Sequence, residues 1–493
     1  MNFYFFLGAT GWWAKFLNIF NHIKKISNNA NFYGIIMVPG LETEIYKRFP
    51  KFKKKLDYQY DLVNQFLNSK LDMKDVEKYE KKYHNLWAYI YAERRFLTFT
   101  YVRRFQNKIY THEELLKLII GQFKYFEKSL KNIDVLVTNP PASSWALVMC
   151  AVARSYNIKV INVDQVAFPP NRSLLTSSSQ QIWTKVEELF ADKIKLKKII
   201  NKKQKADALN HIKQWRNKSE QPPWVSITNT QKKISKLLNL KKIKRFFVQY
   251  LNFHLGKTFY VASPLLQIKQ FIFFRYNSFM TNNFFKYDQV NFSDTYFYYP
   301  MHLEPEASLM ISGKRAINQM SLIQRLATQL PVKAKLYVKE HPTMVGWRTK
   351  KFYEDLKKIP NVKLISPKYD NNKLIKKSLC IFTVCGTSGW EALMLQKPVL
   401  LIGESFYRKL SMVKYIVNLD DITSEIKWLR DEYKHSENEL IDFVSCIINQ
   451  SFPFPFDYFW GTTDDDDIFN KLEKFDNFSE NLANEIYSYA INN

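Results

Sequence analysis

The sequence has few cysteines, and none of them stands in a metal-binding pattern. Cys150, Cys380, Cys385 and Cys446 are scattered along the chain, and the closest pair has neither C-x-x-C spacing nor histidines beside it. Structural zinc sites take their ligands from closely spaced Cys and His residues. We therefore expect reduced thiols in a reducing compartment and no bound metal.

Long apolar runs and low-complexity linkers are absent as well. The run Phe3–Leu7 has no basic residue before it, and glycines followed by Lys15 interrupt the stretch after it. A signal peptide starts with a basic region, and a membrane-spanning helix needs about 20 apolar residues. The sequence therefore predicts a cytoplasmic protein without a transmembrane helix.

Apolar residues are nevertheless abundant. The chain has 493 residues, of which 46% are hydrophobic and 16% are aromatic. Single hydrophobic cores rarely grow beyond about 250–300 residues. Two domains, each with its own core, are the expected organisation.

Acidic residues are much fewer than basic residues. The 73 Lys and Arg residues exceed the 46 Asp and Glu residues, which gives a net charge of +27. Such an excess favours polyanionic partners, namely nucleic acid, anionic lipid or acidic polysaccharide. Part of it accompanies a general enrichment in Lys, Asn, Ile, Phe and Tyr that is typical of an A+T-rich genome.

The most basic region, residues 184–275, has no zinc-finger, RNP or helix-turn-helix signature, so no nucleic acid partner is expected. Its Phe, Trp and Tyr residues suit a lipid headgroup surface. Lys241, Lys242, Lys244 and Arg245 lie beside aromatic residues. We expect a peripheral protein at the inner face of the cytoplasmic membrane, held by these cations.

The order of strand and helix patterns predicts two α/β units. The chain begins as strand, glycine turn (Gly8 to Gly11), helix and strand, and a second strand–helix–strand unit places Asn139, Ser143 and Asp164 at the carboxyl edge of a parallel sheet. The predicted domains are 1–285, with a helical insertion at about 184–275, and 286–452. A tail, 453–493, is expected to cross back to the first domain.

The segment KLYVKEHP carries the first chemical signal. Its strand ends at Lys339, so His341 should project into the crevice beyond the carboxyl edge of the sheet. A histidine there can donate to a diphosphate or phosphodiester. The alternative is a structural histidine that caps the loop.

The segment from Cys380 to Gly403 predicts strand, turn, helix and strand. Gly386 and Gly389 would let the backbone approach a ligand, and Thr387 and Ser388 stand at a helix start that suits phosphate. Glu391, one turn further on, can accept hydrogen bonds from ribose hydroxyls. Alternatively, the glycines serve tight strand–helix packing and Glu391 is solvated.

The segments YYPMHLEPEAS, KEHPTMVG and TVCGTSGWEALMLQKPVLLIG, in this order, resemble the C-terminal half of bacterial capsular polysaccharide synthesis glycosyltransferases, which include the Kdo transferases of capsule export. The similarity covers roughly residues 290–410. In the first half it is limited to VINVDQVAFPPNRS, residues 160–173. The resemblance implies a GT-B fold of two Rossmann-like domains facing a cleft, a CMP-linked or related donor, and a His-Pro motif that binds the donor phosphate.

Further residues are assigned on this basis. His302, Glu304 and Glu306 are expected to face the cleft, with His302, Glu304 and Lys339 contacting the donor, although an ordinary polar loop is an equal alternative. Asp164 is the predicted general base for the acceptor hydroxyl, or else a strand-end cap. Arg172 would bind an acidic group or lie on the surface, and Asp464 to Asp467 form a solvated loop rather than a metal site.

The predicted function is metal-independent, inverting transfer of a sugar from a nucleotide donor to a lipid-linked or polysaccharide acceptor. Ser388, Gly389 and Glu391 form a Ser-Gly-x-Glu pattern that also resembles nucleotide-sugar epimerases and glycerophosphotransferases. A CDP-polyol phosphotransferase and an epimerase therefore stay open as alternatives. A third class is a non-catalytic basic scaffold that binds membrane or nucleic acid through residues 184–275.

Overall fold

The computed structural model describes residues 1–7, 16, 18–36, 56–93, 110–218, 247, 250–251, 264–455 and 474–492. Three sequence predictions lie outside the described residues: the turn from Gly8 to Gly11, the basic group Lys241, Lys242, Lys244 and Arg245, and the acidic run from Asp464 to Asp467.

A seven-stranded sheet forms the centre of the first unit. Its strands are Asn2–Leu7 (β1), Asn31–Ile36 (β2), Leu56–Tyr58 (β3), Val135–Thr138 (β4), Lys159–Val166 (β5), Arg172–Thr176 (β6) and Phe452–Pro453 (β13). They lie in the order β13-β6-β5-β4-β1-β2-β3. Strands β1 to β5 are parallel, and β6 and β13 pair antiparallel at one edge.

Helices cover both faces of this sheet, because its apolar strands must be buried on each side. They are Ile19–Ile26 (α1), Gln59–Asn68 (α2), Met73–Tyr83 (α3), Leu86–Tyr91 (α4), His112–Ser129 (α5) and Ser144–Ser155 (α6). Helix α5 starts with a full capping box, in which the Thr111 side chain and Glu114 exchange hydrogen bonds with each other's backbone.

The second unit has a six-stranded sheet, all of it parallel. Its strands are Tyr296–Pro300 (β7), Lys335–Lys339 (β8), Val362–Ile365 (β9), Ile381–Thr383 (β10), Val399–Leu401 (β11) and Val413–Tyr415 (β12). They lie in the order β12-β11-β10-β7-β8-β9. This is the doubly wound order of Rossmann-like domains, in which ligands bind beyond the strand carboxyl ends at the switch point between β7 and β10.

The helices of the second unit are Pro264–Phe284 (α10), Gln319–Thr328 (α11), Lys350–Lys357 (α12), Asn371–Lys377 (α13), Thr387–Met394 (α14), Thr423–Asp431 (α15) and Glu437–Gln450 (α16). Short π- and 3₁₀-helical turns occupy Ser308–Ser312, Lys314–Ala316 and Pro342–Met344. Two Rossmann-like sheets in one chain confirm the predicted α/β, GT-B class of fold.

The first part of the predicted insertion, residues 184–218, packs on the second unit. Thr184–Ala191 (α7), Lys193–Ile199 (α8) and Lys202–Lys218 (α9) lie against the second unit. The Trp183 ring stacks on Phe406 with 4.1 Å between ring centroids. Arg216 forms a bidentate ion pair with Glu437. The buried apolar residues of these helices belong to the same core cluster as those of α14 and α16.

The C-terminal tail returns to the first sheet. Strand β13 pairs with β6, and helix Asp476–Asn492 (α17) contributes Leu482 and Ile486 to the core beneath β1. Asp476 Oδ1 lies 2.8 Å from His22 Nε2 on α1. Among the described helices none is long and apolar enough to cross a membrane.

Candidate functional site

The end of strand β8 sends its side chains to opposite faces of the second sheet, as the pleat requires. Val338 belongs to the core on one face, and Tyr337 belongs to the core on the other. The alternation continues past the strand. Glu340 lies on the Val338 side, while Lys339 lies on the Tyr337 side, near Glu391.

His341 caps the short turn that follows. The backbone N–H of Thr343 donates to His341 Nδ1 at 3.4 Å, and Thr343 Oγ1 lies 2.8 Å from the same nitrogen. A neutral ring whose Nδ1 accepts this hydrogen bond carries its proton on Nε2. The cap that was the structural alternative is therefore present, and it fixes the ring through Nδ1.

A fully buried ion triad supports this loop from behind. Arg348, with no exposed surface, lies 2.5 Å from Glu340 Oε2 and 2.8 Å from Glu304 Oε2. Tyr353 donates a further hydrogen bond to Glu340, and Gln319 donates to Glu304. Burial raises the pKa of Glu340, against the opposing effect of Arg348.

The triad changes the interpretation of Glu304. The sequence prediction placed this carboxylate in the cleft as a donor contact, whereas the structure engages both of its oxygens with Arg348 and Gln319. A buried carboxylate needs a paired cation and hydrogen bonds, which the cleft would not supply. Glu304 thus holds the loop in place. Glu306 is partly buried on the same loop.

His302 lies next to the helix start rather than in open solvent. Its Nε2 accepts a 3.2 Å hydrogen bond from the backbone N–H of Val384, and its backbone is held by the Gln319 amide. Burial, and to a lesser extent His341, lowers the pKa of His302 to about 3. The ring is therefore neutral at physiological pH, with its proton on Nδ1.

This histidine should make folding stability depend on pH. Its pKa falls from 6.5 to about 3 on folding, so the unfolded chain binds a proton more readily and acid favours unfolding. The stabilisation is complete above about pH 6.5 and is lost on acidification, by about 1.4 kcal/mol per pH unit at most. Urea denaturation at about pH 6.5 and about pH 4.5 should show a smaller loss for His302→Gln than for the wild type. An equal loss in both proteins, with exposed His112→Gln as the control, would contradict the assignment.

The two glycines of the turn make room for protein side chains. A Cβ on Gly386 would stand 2.8 Å from His302 Cε1, and a Cβ on Gly389 would stand 2.3 Å from the Tyr407 hydroxyl oxygen. That hydroxyl donates to the Gly386 carbonyl at 2.6 Å. The glycines thus serve the close packing that was the alternative interpretation, with His302 and Tyr407 as the packed groups.

Helix α14 begins at this turn and points its amino end at the site. Gly386 is the N-cap residue, and no side chain caps the helix within the described residues. Thr387 and Ser388, the first two helical residues, are partly exposed. First-turn N–H groups have no intrahelical acceptor and carry a partial positive charge, which suits a phosphate.

Lys339 and Glu391 are the charged residues next to the amino end of helix α14. The Lys339 side chain is 8% exposed, and burial lowers its pKa against the opposing charges of Glu391 and Asp370. Asn371 donates to Glu391 Oε2 at 2.6 Å and accepts from the Tyr298 hydroxyl at 2.6 Å. Glu391 is therefore held in a hydrogen-bonded position instead of being a solvated helix residue.

The structure therefore places His302, Lys339, His341, Thr387, Ser388, Gly389 and Glu391 around one carboxyl edge of the second sheet. Arg348, Asn371, Gln319 and Tyr407 support them, and none of these was predicted. One signal could have identified Arg348. Glu340 directly follows a buried strand and precedes His341, and a buried acid needs a nearby cation.

Asp164 lies on strand β5 of the first unit. The Trp183 indole N–H donates to its Oδ2 at 2.7 Å, and the backbone N–H of Gln165 donates to its Oδ1 at 2.8 Å. The role of Asp164 as a general base stays a prediction. Nearby, Asn139 is buried, and Ser143 caps helix α6.

Arg172 differs from its predicted role. Its Nε donates to the Ser451 hydroxyl at 2.7 Å, and its Nη2 donates to the Ile448 carbonyl at 2.9 Å. These groups stand at the carboxyl end of helix α16, whose last carbonyls lack helical partners and attract a cation. Arg172 thus fixes the β5–β6 hairpin to helix α16 instead of binding an anionic ligand.

The four cysteines are all buried, and no disulfide joins any two of them. Within the described ranges, no three His, Cys, Asp or Glu side chains lie close enough to hold a metal ion.

Comparison with known families now adds to this geometry. Residues 235–413 match the family model described as capsule polysaccharide biosynthesis protein. The predicted family resemblance is confirmed over these residues. The matched range contains His302, Lys339, His341 and the start of helix α14. No curated protein matches the sequence.

Several solved structures are similar to the chain. The beta Kdo 2,4 transferase of KpsC from Thermosulfurimonas dismutans is 13% identical, with 64% of this chain and 80% of that chain covered and a TM-score of 0.34. Its beta Kdo 2,7 transferase is also 13% identical, with 68% and 87% covered and a TM-score of 0.31. UDP-GlcNAc 2-epimerase from Methanocaldococcus jannaschii is 15% identical, with 91% and 98% covered and a TM-score of 0.25.

Proposed function

We propose that this protein is a glycosyltransferase of capsule or surface polysaccharide synthesis. It moves a sugar, with a CMP-activated sugar such as Kdo as the first choice, from its nucleotide to a lipid-linked or polysaccharide acceptor. The observation that carries the proposal is the convergence of the oriented His341 ring, Lys339 and the uncapped start of helix α14 at the switch point of the second sheet. The family match over the same residues supports it.

The proposed chemistry follows from these groups. The acceptor oxygen attacks the anomeric carbon of the donor, the bond from that carbon to the phosphate oxygen breaks, and its electron pair goes to the phosphate. His341 Nε2–H, Lys339 and the first N–H groups of α14 meet the negative charge that develops there. These groups would take the part that a divalent metal plays in other transferases. The acceptor proton goes to a base, for which Asp164 is the proposed residue.

Glu391 has a different proposed part. Its carboxylate is fixed by Asn371, lies within the electrostatic reach of Lys339, and stands one turn into the helix whose start receives the phosphate. A fixed carboxylate one helical turn from the phosphate accepts hydrogen bonds from the ribose hydroxyls of the nucleotide. Nucleotide binding thereby orients the donor with its phosphate at His341.

We expect a cytidine nucleotide to raise the melting temperature more than a uridine or guanosine nucleotide, because the family resemblance implies CMP-linked donors. A nucleotide at about a hundred times its Kd adds about 2.7 kcal/mol to the free energy of unfolding. A thermal-shift panel of CMP, CDP, UMP, UDP and GDP measures this. A clear preference for UDP would contradict the cytidine donor and favour transfer of a hexose or hexosamine.

Product analysis tests the reaction itself. Incubation with a CMP-sugar and an acceptor should release CMP and give a product without phosphorus. Phosphate in the product would replace the proposal by polyol phosphate transfer from a CDP-polyol, and a changed sugar stereocentre without transfer would indicate an epimerase. A protein that binds none of the nucleotides would be a non-catalytic scaffold.

The proposed location is the inner face of the cytoplasmic membrane. The net charge of +27 favours an anionic surface, and each Lys or Arg near such a surface contributes about 1 kcal/mol. The acceptor, when linked to lipid, is held at that surface.

A further inference from the structure

Helix α10, Pro264–Phe284, exposes an unusual amount of apolar side chain for a helix packed on a domain. Leu265, Ile268, Ile272, Tyr276 and Phe279 recur at intervals of three and four residues, so they form one stripe along the helix. Their exposed fractions run from 46% to 74%. Phe271, Phe273 and Phe284 are also exposed beside the stripe.

The opposite side of the same helix is attached to the second unit. The Phe274 ring lies 5.1 Å from the Trp347 ring and against Gly346, where a Cβ would come within 2.9 Å of it. Asn277 and Thr281, one and two turns further on, are buried. Gly346 and Trp347 belong to the loop that begins at His341. One side of the helix thus packs against the protein next to the candidate site, and the apolar stripe lies on the exposed side.

The charge of the sequence segment that contains the helix favours an anionic partner. The sequence has no Asp or Glu from Gln221 to Tyr287, and the same stretch carries 11 Lys and Arg residues. Two of these, Lys269 and Arg275, are exposed on the helix itself and flank the stripe. An exposed apolar stripe bordered by cations, without acids, is complementary to an anionic lipid surface, where aliphatic and aromatic groups enter the interface and cations meet phosphate.

A second copy of this chain fits the face less well. Two copies paired along the stripe would bring Lys269 and Arg275 of each copy together without an acidic partner from the helix. Like charges held close in a partly desolvated interface disfavour association. The charge pattern therefore favours lipid over self-association.

We propose that helix α10 is the membrane-inserting element of this protein. It lies in the plane of an anionic membrane with the Leu265–Phe279 stripe in the headgroup region. This inference rests on the proposed membrane location and deepens it, because it assigns the binding to an apolar helix and not to lysines alone. The loop from His341 to Trp347 would then stand beside the surface on which a lipid-linked acceptor is presented.

The test is co-sedimentation of the full chain with vesicles of phosphatidylglycerol and phosphatidylcholine, and with vesicles of phosphatidylcholine alone. The double variant Ile272→Glu/Phe279→Glu should lower the partition onto anionic vesicles about tenfold or more, since binding scales with the apolar area that enters the interface. Val332→Glu/Val417→Glu is the matched control. It introduces the same charge at two other exposed apolar positions of the second unit, and it should change the partition less than about twofold.

A neutral variant separates insertion from electrostatics. Ile272→Ser/Phe279→Ser should lose binding as well, and wild-type binding should survive in part at high salt, where attraction between charges is screened within a few Å. Equal binding of wild type and both α10 variants would overturn the inference. Loss of vesicle binding in the glutamate variant but not in the serine variant would also overturn the inference. The attraction between lysines and lipid phosphate would then be sufficient to hold the protein.

The outcomes distinguish this inference from the proposed function. Unchanged thermal shifts with nucleotide in the α10 variants would show that the donor site is intact. A wild-type protein that transfers sugar but binds no vesicle would keep the transferase assignment and lose the membrane location together with this inference. A dimer that becomes a monomer in the α10 variants, without any vesicle binding, would assign the stripe to a second copy and overturn the inference.

Discussion

Replacing His341 by alanine should lower the turnover about a hundredfold or more, since removal of one oriented donor to a developing oxyanion typically has that effect. The ring is held by the Thr343 backbone through Nδ1, so its orientation is fixed before the donor binds. The loss should appear mainly in kcat, because the leaving phosphate gains most of its charge in the transition state. The measurement is the rate of CMP release with acceptor present.

Two controls belong to this experiment. His112→Ala removes an exposed histidine at the start of helix α5 in the first unit and should leave turnover unchanged. Circular dichroism and the melting temperature should show that His341→Ala is folded. Turnover close to that of the wild type in His341→Ala would reject the assignment and leave the ring with its cap alone.

Replacing Arg348 by methionine should lower the free energy of unfolding by about 3–5 kcal/mol, the typical result of removing one partner from a buried ion pair. The substitution keeps much of the side-chain volume but leaves Glu304 and Glu340 buried without their cation. Burial opposes the charge of Arg348, but the neighbouring acids raise its pKa above its usual range, so the guanidinium stays protonated. Urea denaturation at neutral pH gives the change.

The surface offers a matched comparison for Arg348. Arg325 pairs with Asp420 at 2.8 Å, but both side chains are exposed, and Arg325→Met should change stability by less than about 1 kcal/mol. The triple variant Arg348→Met/Glu304→Gln/Glu340→Gln should be more stable than Arg348→Met alone, because the unpaired charges are removed with their partner. If Arg348→Met cost no more than Arg325→Met, the triad would not be the support of the His341 loop.

Local sequence patterns were sufficient to predict much of the second unit. The order of strands and helices, the position of His341 after β8 and the glycine turn before α14 follow from hydrophobic runs and from turn residues that depend on nearest neighbours. The sheet order follows less directly. The sequence predicted parallel, Rossmann-like sheets but not the order of their strands. The pairing of strands depends on the crossover connections and not on any one strand.

The partners of charged side chains could not be predicted in the same way. Glu304 and Arg172 are of residue types that are common in binding sites, but each contacts groups that are remote in sequence. Glu304 pairs with Arg348, and Arg172 donates to Ile448 and Ser451. A carboxylate or guanidinium in a loop has the same local pattern whether it meets a ligand or another side chain. Only the fold determines which it meets.

The sequence by itself determined the fold class, the edge of the sheet at which the candidate site lies and the residue types present there, because backbone conformation and side-chain alternation are local properties. The tertiary structure decided how the chemistry is divided among them. It brought the Thr343 backbone N–H to His341 Nδ1, placed His302 and Tyr407 in the space beside Gly386 and Gly389, and left the stripe of α10 exposed. These outcomes depend on which surfaces meet across long sequence distances, and no local pattern carries that information.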